Sequence, residues 1–514
     1  MNNPPKSKWR WRILRWGLIC VAVLVTLVAA LVTEENWRGK REWEAYKKAA
    51  EARGEWFSLS ARAITNVPDD LNFTRAPIFA SIFTSQKVDS SNQAGKPNSP
   101  PAEDPLSLDP YYADASDPGG HGDWTRARLT RLEAWQNYYR HPAPQFAGAF
   151  LVAPQPQSPG ADVLLALSKY DSAIEGLRDA SQRPFVQFGI TNVIENNGLS
   201  QMLSYLAVFK RFTQVLNLRA IAELGDNRAD QGLADVQLML KLSDKLGSQP
   251  LLIVQLVSVA INAYTLQPIY EGLVQHRWND AQLAELENAL VARDFLADYQ
   301  TAMAGERAFA NETEENRRIT REYETIVDHT PGKSSIKMVS MRFVPSAIFY
   351  QNELALARLA DQVVLPMVDV TNRLVSPAAV RQAAADGNRQ LKHFSPYKIE
   401  GQMIMQPIIN CAKKFAIAQS NMDLARVACA LERCRLAQGG YPETLDGLAP
   451  QYIDKLPHDV INGQPLHYRR TEGGHYVLYS VGWNEKDDGG EVALNKNGML
   501  DRDQGDWVWD SAAR

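Results

Sequence analysis

The sequence is poor in the residues from which metal centres, disulfide frameworks and most hydrolytic sites are built. Among its 514 residues are four cysteines and eight histidines. No Cys-x-x-Cys pair and no Cys/His zinc spacing occurs, which excludes a zinc module and a thioredoxin-type redox pair. Cys20 lies in an apolar run, and Cys429 and Cys434 fall on different faces of an expected helix. A bond from Cys411 to either of them is the cross-link the pattern leaves open, in an oxidising compartment. His-Glu-x-x-His, the Gly-x-Ser-x-Gly elbow and the Walker loop are all missing. "TPGKSS" at Thr330 lacks the preceding glycine spacing and reads as an exposed turn. An excess of basic charge is missing too: 55 Lys and Arg face 59 Asp and Glu, a net −4. No nucleic-acid partner is therefore expected.

What is present first is a long apolar run. Trp16 to Val32 carries no charge, and with Ile13 and Leu14 it approaches the hydrocarbon thickness of a bilayer. Lys6, Lys8, Arg10, Arg12 and Arg15 precede it, and the first acid is Glu34. Basic flanks stay cytoplasmic, so residues 1–12 read as an internal tail and 13–32 as a transmembrane helix in the lipid bilayer. Trp9, Trp11, Trp16 and Trp37 suit the two interfaces. A cleaved signal peptide is the competing reading, but its apolar core is usually shorter. The next most apolar stretch, Pro250–Tyr270, contains Gln255, Asn262 and Gln267 and reads as a buried helix of a soluble body.

Residues 33–83 are charged and Ala-rich at first, a membrane-proximal helical segment. Residues 84–123 are rich in Pro, Ser, Gly and Asp and read as a long loop. Its end, "DPYYADASDPGGHGD", has scattered carboxylates and His121, most simply a solvated loop. Residues 124–400 carry helical periodicity, a helical body. Leu233, Val236 and Leu240 keep helix spacing up to Gly247, and Asn279 or Asp280 is a candidate N-cap. Arg317–Lys337 looks like a break, and an exposed loop is expected around "SPAAVRQAAADGN".

Residues 401–514 begin with a long helix, in which Leu424, Val427, Ala428 and Leu431 share a face. After it, "GGYPETLDGLAPQYIDKLPHDVINGQPLHYRR" is dense in turn residues. "LHYRR" and "HYVLYSVG" read as strands joined by a "EGG" turn. Helix, "GGYP", "LDGLAPQYIDKLPHD", "NGQPLHYR", "YVLYSVG" and "KDDGG" follow in an order that resembles the globular part of the major pseudopilin of type II secretion systems. The whole chain also resembles large uncharacterised membrane-anchored proteins of planctomycetes and verrucomicrobia. The resemblance implies a helix packed on a small antiparallel sheet. It also implies a calcium ion in the acidic loop, where Asp487, Asp488, Asp501, Asp503 and Asp506 are available. A solvated acidic loop is the plainer reading, and His458, His467 and His475 read as surface histidines near strands. The chain departs from pseudopilins in separating its anchor widely from its tail helix.

The fold class expected is thus mainly α: a transmembrane helix, a large helical body and a small C-terminal α+β module. The expected role is structural or protein-binding, outside the cytoplasmic membrane, with envelope proteins as partners. The alternatives are an extracytoplasmic hydrolase-like enzyme, marked by a convergent polar pocket in the helical body, and a secretion-filament component.

Overall fold

Basic tail, apolar run and charged stalk form one helix, α1 (Lys6–Glu51). The computed structural model describes residues 6–61, 67–79, 119–142, 148–187, 198–326, 336–391, 395 and 397–513. Most of the Pro-rich 84–123 segment and the 328–335 turn lie outside them. The helices that follow are α2 (Leu132–Arg140), α3 (Pro159–Leu167), α4 (Asp171–Ser181), α5 (Gly198–Gly225) and α6 (Ala229–Gly247). Next come α7 (Leu252–Val274), α8 (Asp280–Val291), α9 (Phe295–Thr320) and a hairpin of β1 (Glu322–Ile326) and β2 (Ile336–Ser340). After it stand α10 (Ser346–Leu359), α11 (Pro377–Leu391) and α12 (Ile399–Gln438). The chain closes with β3 (His467–Arg470), β4 (Tyr476–Ser480), β5 (Val492–Leu494), β6 (Leu500–Gly505) and β7 (Trp507–Asp510). The protein is mainly helical, with a small antiparallel sheet near its end, as the sequence pattern implies.

The expected loop around "SPAAVRQAAADGN" is instead helix α11. Ser376 accepts the amide of Ala379 at 3.3 Å as an N-cap, and Pro377 stands at the first helical position. The alanines then outweigh Gly387, and Val380 and Leu391 are buried.

Two compact units form. Unit 1 comprises Met1–Ala61, Arg307–Val363 and Asp386–Gln406; unit 2 comprises Arg62–Glu306, Val364–Ala385 and Pro407–Arg514. In unit 1, every residue of α1 from Trp11 to Leu31 is exposed, and burial begins at Gly39, Trp43 and Ala50. Those spacings of four and seven residues, one and two helical turns, mark the stripe by which α1 packs on α10. The Ala347 amide donates to Asn36 Oδ1 at 2.7 Å. Trp43, Ala50 and Phe57 form a core cluster with Leu354 and Ala357. Deeper in, Arg307 bonds both Glu55, at 2.5 Å, and Asp361. Tyr46 donates to Asp361 as well, and the Arg307 guanidinium lies 4.7 Å from the centre of the Phe57 ring.

Glu353 of α10 is buried, and its Oε2 has no hydrogen-bond partner. Burial pushes its carboxyl up to about 8, with Glu315 and Glu314 adding to the shift and Arg318 and Lys47 opposing it. A carboxyl raised in the folded state binds a proton that the unfolded chain has released. Unit 1 therefore loses stability as pH climbs from the ordinary carboxylate range to about 8, and the loss is complete above that. Glu353→Gln is expected to remove this slope, stabilising unit 1 by on the order of 3 kcal/mol at pH 9 and little at pH 5. Urea unfolding of the detergent-solubilised chain at both pH values measures it.

In unit 2, α5, α6 and α7 pack on one another around α7. More than half of α7's most apolar window is buried. Most of its polar groups are bonded inside: Gln255 donates to Gly247 O at 2.5 Å, and Ser258 and Ser243 share a 2.7 Å hydroxyl bond. A core helix can carry such groups where they find partners, although Gln255 Oε1 and Asn262 Oδ1 are buried without one. Asn279 caps α8 with a full capping box through Gln282. The four cysteines are all free, so the Cys411 cross-link does not form.

The C-terminal module belongs to unit 2. Its sheet has the order β3-β4-β7, antiparallel throughout, with β5-β6 as a second hairpin. All five residues of β4 are buried. One face meets the end of α12 and its turn: the Tyr441 ring stands 4.8 Å from Tyr476, and Tyr441 donates to Glu432 at 2.9 Å. On the other face Val477 and Tyr479 cluster with Val508 of the neighbouring strand β7, and Val492 packs against them. Covering both faces is why β4 shows no polar alternation. The turn-rich stretch before it is organised by buried Asp459, which accepts Ile461 N, Val481 N and the Ser480 hydroxyl, each at 2.9 Å.

Candidate functional site

Unit 2 contains a cavity of about 450 Å³ where the segment after the Pro-rich region, α5, α7 and β6 meet. The segment Gly119–Thr130 is held by two side chains of α7. Gln267 accepts the Trp124 amide at 2.7 Å and donates to Arg128 O at 3.1 Å and Glu271 Oε1 at 2.8 Å. Glu271 in turn accepts the Thr130 amide at 2.9 Å. Burial pushes the Glu271 carboxyl up to about 7, against the pull of these hydrogen bonds. Gly122 makes the arrangement fit, since a Cβ there would stand 2.1 Å from Gln267 Nε2.

The walls mix aromatic and polar groups. Trp124 and Trp135 line the cavity, with His121 edge-on to Trp135 at 4.9 Å. On the opposite side Gln214 donates to the Tyr264 hydroxyl at 3.3 Å, and Asn217 to the Tyr264 carbonyl at 2.6 Å. Trp124 is backed by Trp509, at 5.0 Å, and Trp509 by Tyr270, at 5.5 Å. Tyr270 also donates to the β7 carbonyl of Asp510 at 2.9 Å, so the C-terminal sheet and the helical body build this wall together.

Into the cavity β6 brings Arg502. Its guanidinium is half-buried and makes no ion pair or hydrogen bond among the described residues, although the carboxylate of Asp123 lines the same cavity. Burial lowers its pKa, and only the charge of Asp123 offsets this. Arginine stays cationic in proteins, so the cavity holds a standing positive charge with five unused donors. Chemically the lining suits an anion carrying a flat or apolar body: a carboxylate matches the guanidinium fork, and a ring matches the indole walls. Glu271, with the titration range of a general base, does not line the cavity; Gln267 stands there instead.

The carboxylates of the acidic loop are only partly brought together. Asp506 is buried and accepts Gly490 N at 2.7 Å and Asp488 N at 3.1 Å. Burial raises its pKa despite those amides, and the charges of Asp488 and Asp487 add to the rise. Asp487 accepts Gly489 N at 2.9 Å and the Tyr479 hydroxyl at 3.0 Å, which hold its carboxyl below the usual range. Asp501 accepts the Asp503 amide at 3.0 Å, and Asp503 pairs with Lys413 at 2.5 Å. Among the described residues no group of three or more His, Cys, Asp or Glu is placed to hold a metal ion. His467 pairs with Asp487 at 3.3 Å, His458 contacts the Arg373 carbonyl at 3.3 Å, and His475 is exposed.

The pocket residues Gln267 and Arg502, and Glu271 behind them, carry no motif. The glycines of "PGGHGD" were the available signal for a close backbone approach, and His121 marked the right loop. No family model, curated protein or solved structure matches the chain.

Proposed function

We propose that this protein is a single-pass envelope protein, N-terminus inside and body outside the cytoplasmic membrane, that works by binding. Its occupant is a carboxylate-bearing ligand, taken by the unit 2 cavity. The exposed apolar face of α1 behind a basic flank supports the tether. The observation that carries the binding role is Arg502, a half-buried cation in a 450 Å³ aromatic cavity that forms no ion pair among the described residues and feels Asp123 only as a charge at a distance. A structural arginine at such depth is ordinarily paired, because an unpaired one costs stability. Binding to a structural or protein-interaction end is favoured over turnover, since the strongest acid–base candidate, Glu271, is screened by Gln267.

Calcium forms no part of the proposal. Asp506 spends its oxygens on amide hydrogens, and Asp503 is paired with Lys413. A place in a secretion filament rests on the pseudopilin resemblance alone.

The test compares benzoate and phenylacetate with their neutral amides on the purified chain. The acids are expected to raise the melting temperature and the amides to leave it unchanged. Arg502→Met is expected to weaken acid binding roughly 10- to 100-fold, the loss of a charge-assisted pair. The same variant should leave the ligand-free melting temperature equal or higher. Equal binding of acid and amide, or a marked fall in ligand-free stability, contradicts the reading.

A further inference from the structure

C-terminal to the apolar run, three large apolar side chains of unit 1 are exposed among the described residues: Trp37 at 61%, Ile319 at 66% and Phe343 at 97%. Single exposed apolar residues are ordinary on soluble surfaces. These three come from different elements and gather at one end. Helix α10 runs parallel to α1, since Asn36 bonds Ala347, Glu42 bonds Gln351 and Tyr46 bonds Asp361. The turn before α10, Met341–Pro345, therefore points back toward the apolar run. Helix α9 comes the other way. Its Glu312 lies by Ser58 and its Arg318 stacks on Tyr350 at 4.8 Å. Just beyond its end, Arg321 donates to Val344 O at 2.7 Å and Ser346 Oγ at 2.6 Å. Ile319 thus ends at the level of the turn. Asn36, which fixes that level on α1, lies four residues past Val32, about 6 Å along the axis.

We propose that the Met341–Pro345 turn is a membrane-surface contact, in which the Phe343 ring enters the headgroup–acyl boundary and exposed Arg342 meets lipid phosphates. Trp37 and Ile319 border the same contact. The proposal rests on α1 being a membrane span. Aromatic rings and arginines are favoured at that depth. A second footing holds unit 1 at a set orientation to the bilayer, which a helix alone does not.

The test uses the full chain with Cys20→Ser, in nanodiscs of phosphatidylcholine and phosphatidylglycerol. The other three cysteines are buried. A nitroxide is placed at Leu24→Cys in the span, at Glu51→Cys on the stalk, or at Arg342→Cys beside the intact Phe343. Glu51 lies about 28 Å past Val32 on the same helix. Relaxation by oxygen is compared with relaxation by a water-soluble nickel chelate. Position 342 is expected to show an oxygen-to-nickel ratio several-fold above position 51, and Phe343→Ser to bring it down to that of 51. If 342 reads like 51 while 24 reads as lipid, the contact is refuted and the anchor stands. If 24 itself reads as water, the anchor fails and the contact with it. A label at 342 closed to both reagents means a protein covers the turn, and also overturns the proposal.

Discussion

Replacing Arg307 with methionine is expected to destabilise unit 1 by about 3–5 kcal/mol, the loss typical when one member of a buried ion network is removed. The guanidinium is 4% exposed as a residue and bonds Glu55, Asp361 and the Trp56 carbonyl. Without it two carboxylates remain close together, Glu55 with the half-exposed Arg53 at 2.6 Å and Asp361 with the Tyr46 hydroxyl. Much of the loss is thus stranded negative charge rather than missing attraction. Arg307→Met combined with Glu55→Gln and Asp361→Asn should therefore recover most of it, although it removes every ionic contact of the cluster. Denaturant unfolding followed by tryptophan emission reads both variants, since Trp43 and Trp56 lie beside the network. A triple variant as unstable as the single one would mean that packing, not charge, dominates.

Gly305→Ala reverses the usual sign of its substitution. In an open helix alanine gains about 0.5–1 kcal/mol over glycine. Here a Cβ would stand 1.4 Å from the Pro250 carbonyl oxygen, which is backbone and cannot rotate away. The entry to α7 must move, and its Leu252 amide would leave Glu306 Oε1, now at 2.9 Å. The expected loss is at least about 3 kcal/mol, the upper end of core overpacking. Gly176→Ala on α4 is the control: its new methyl meets only Ile78 at 3.4 Å, and a gain of about 0.5–1 kcal/mol is expected. Thermal unfolding of the two variants separates them by sign.

How much of this could be read from the chain differs by element. The apolar run, an N-cap at Asn279 or Asp280 and the strands at His467 and Tyr476 are legible because each depends on neighbours within a few residues; the full capping box with Gln282 appears in the fold. Helix α11 runs against the loop expectation because Ser376 and Pro377 act as helix-start residues, while proline, serine and glycine together have the composition of a loop. The pocket was not legible. Arg502, Gln267 and Gly122 are far apart in sequence, and what makes Arg502 notable is that it forms no ion pair among the described residues, which only the folded chain reveals. The five aspartates were legible as a cluster in sequence, but their hydrogen bonds divide them: Asp506 turns inward to amides and Asp503 outward to Lys413.

The tether and its direction underlie the placing of every other feature, and cysteine labelling in spheroplasts tests them directly. Cys20 lies in the apolar run and the other native cysteines are buried, so Glu51→Cys supplies an exposed thiol on the stalk. A membrane-impermeant maleimide is expected to label it in intact spheroplasts, in the membrane fraction, to the same extent as after lysis. Labelling only after lysis would put the body inside and reverse the orientation; a soluble labelled chain would mean that the apolar helix does not hold it in the bilayer.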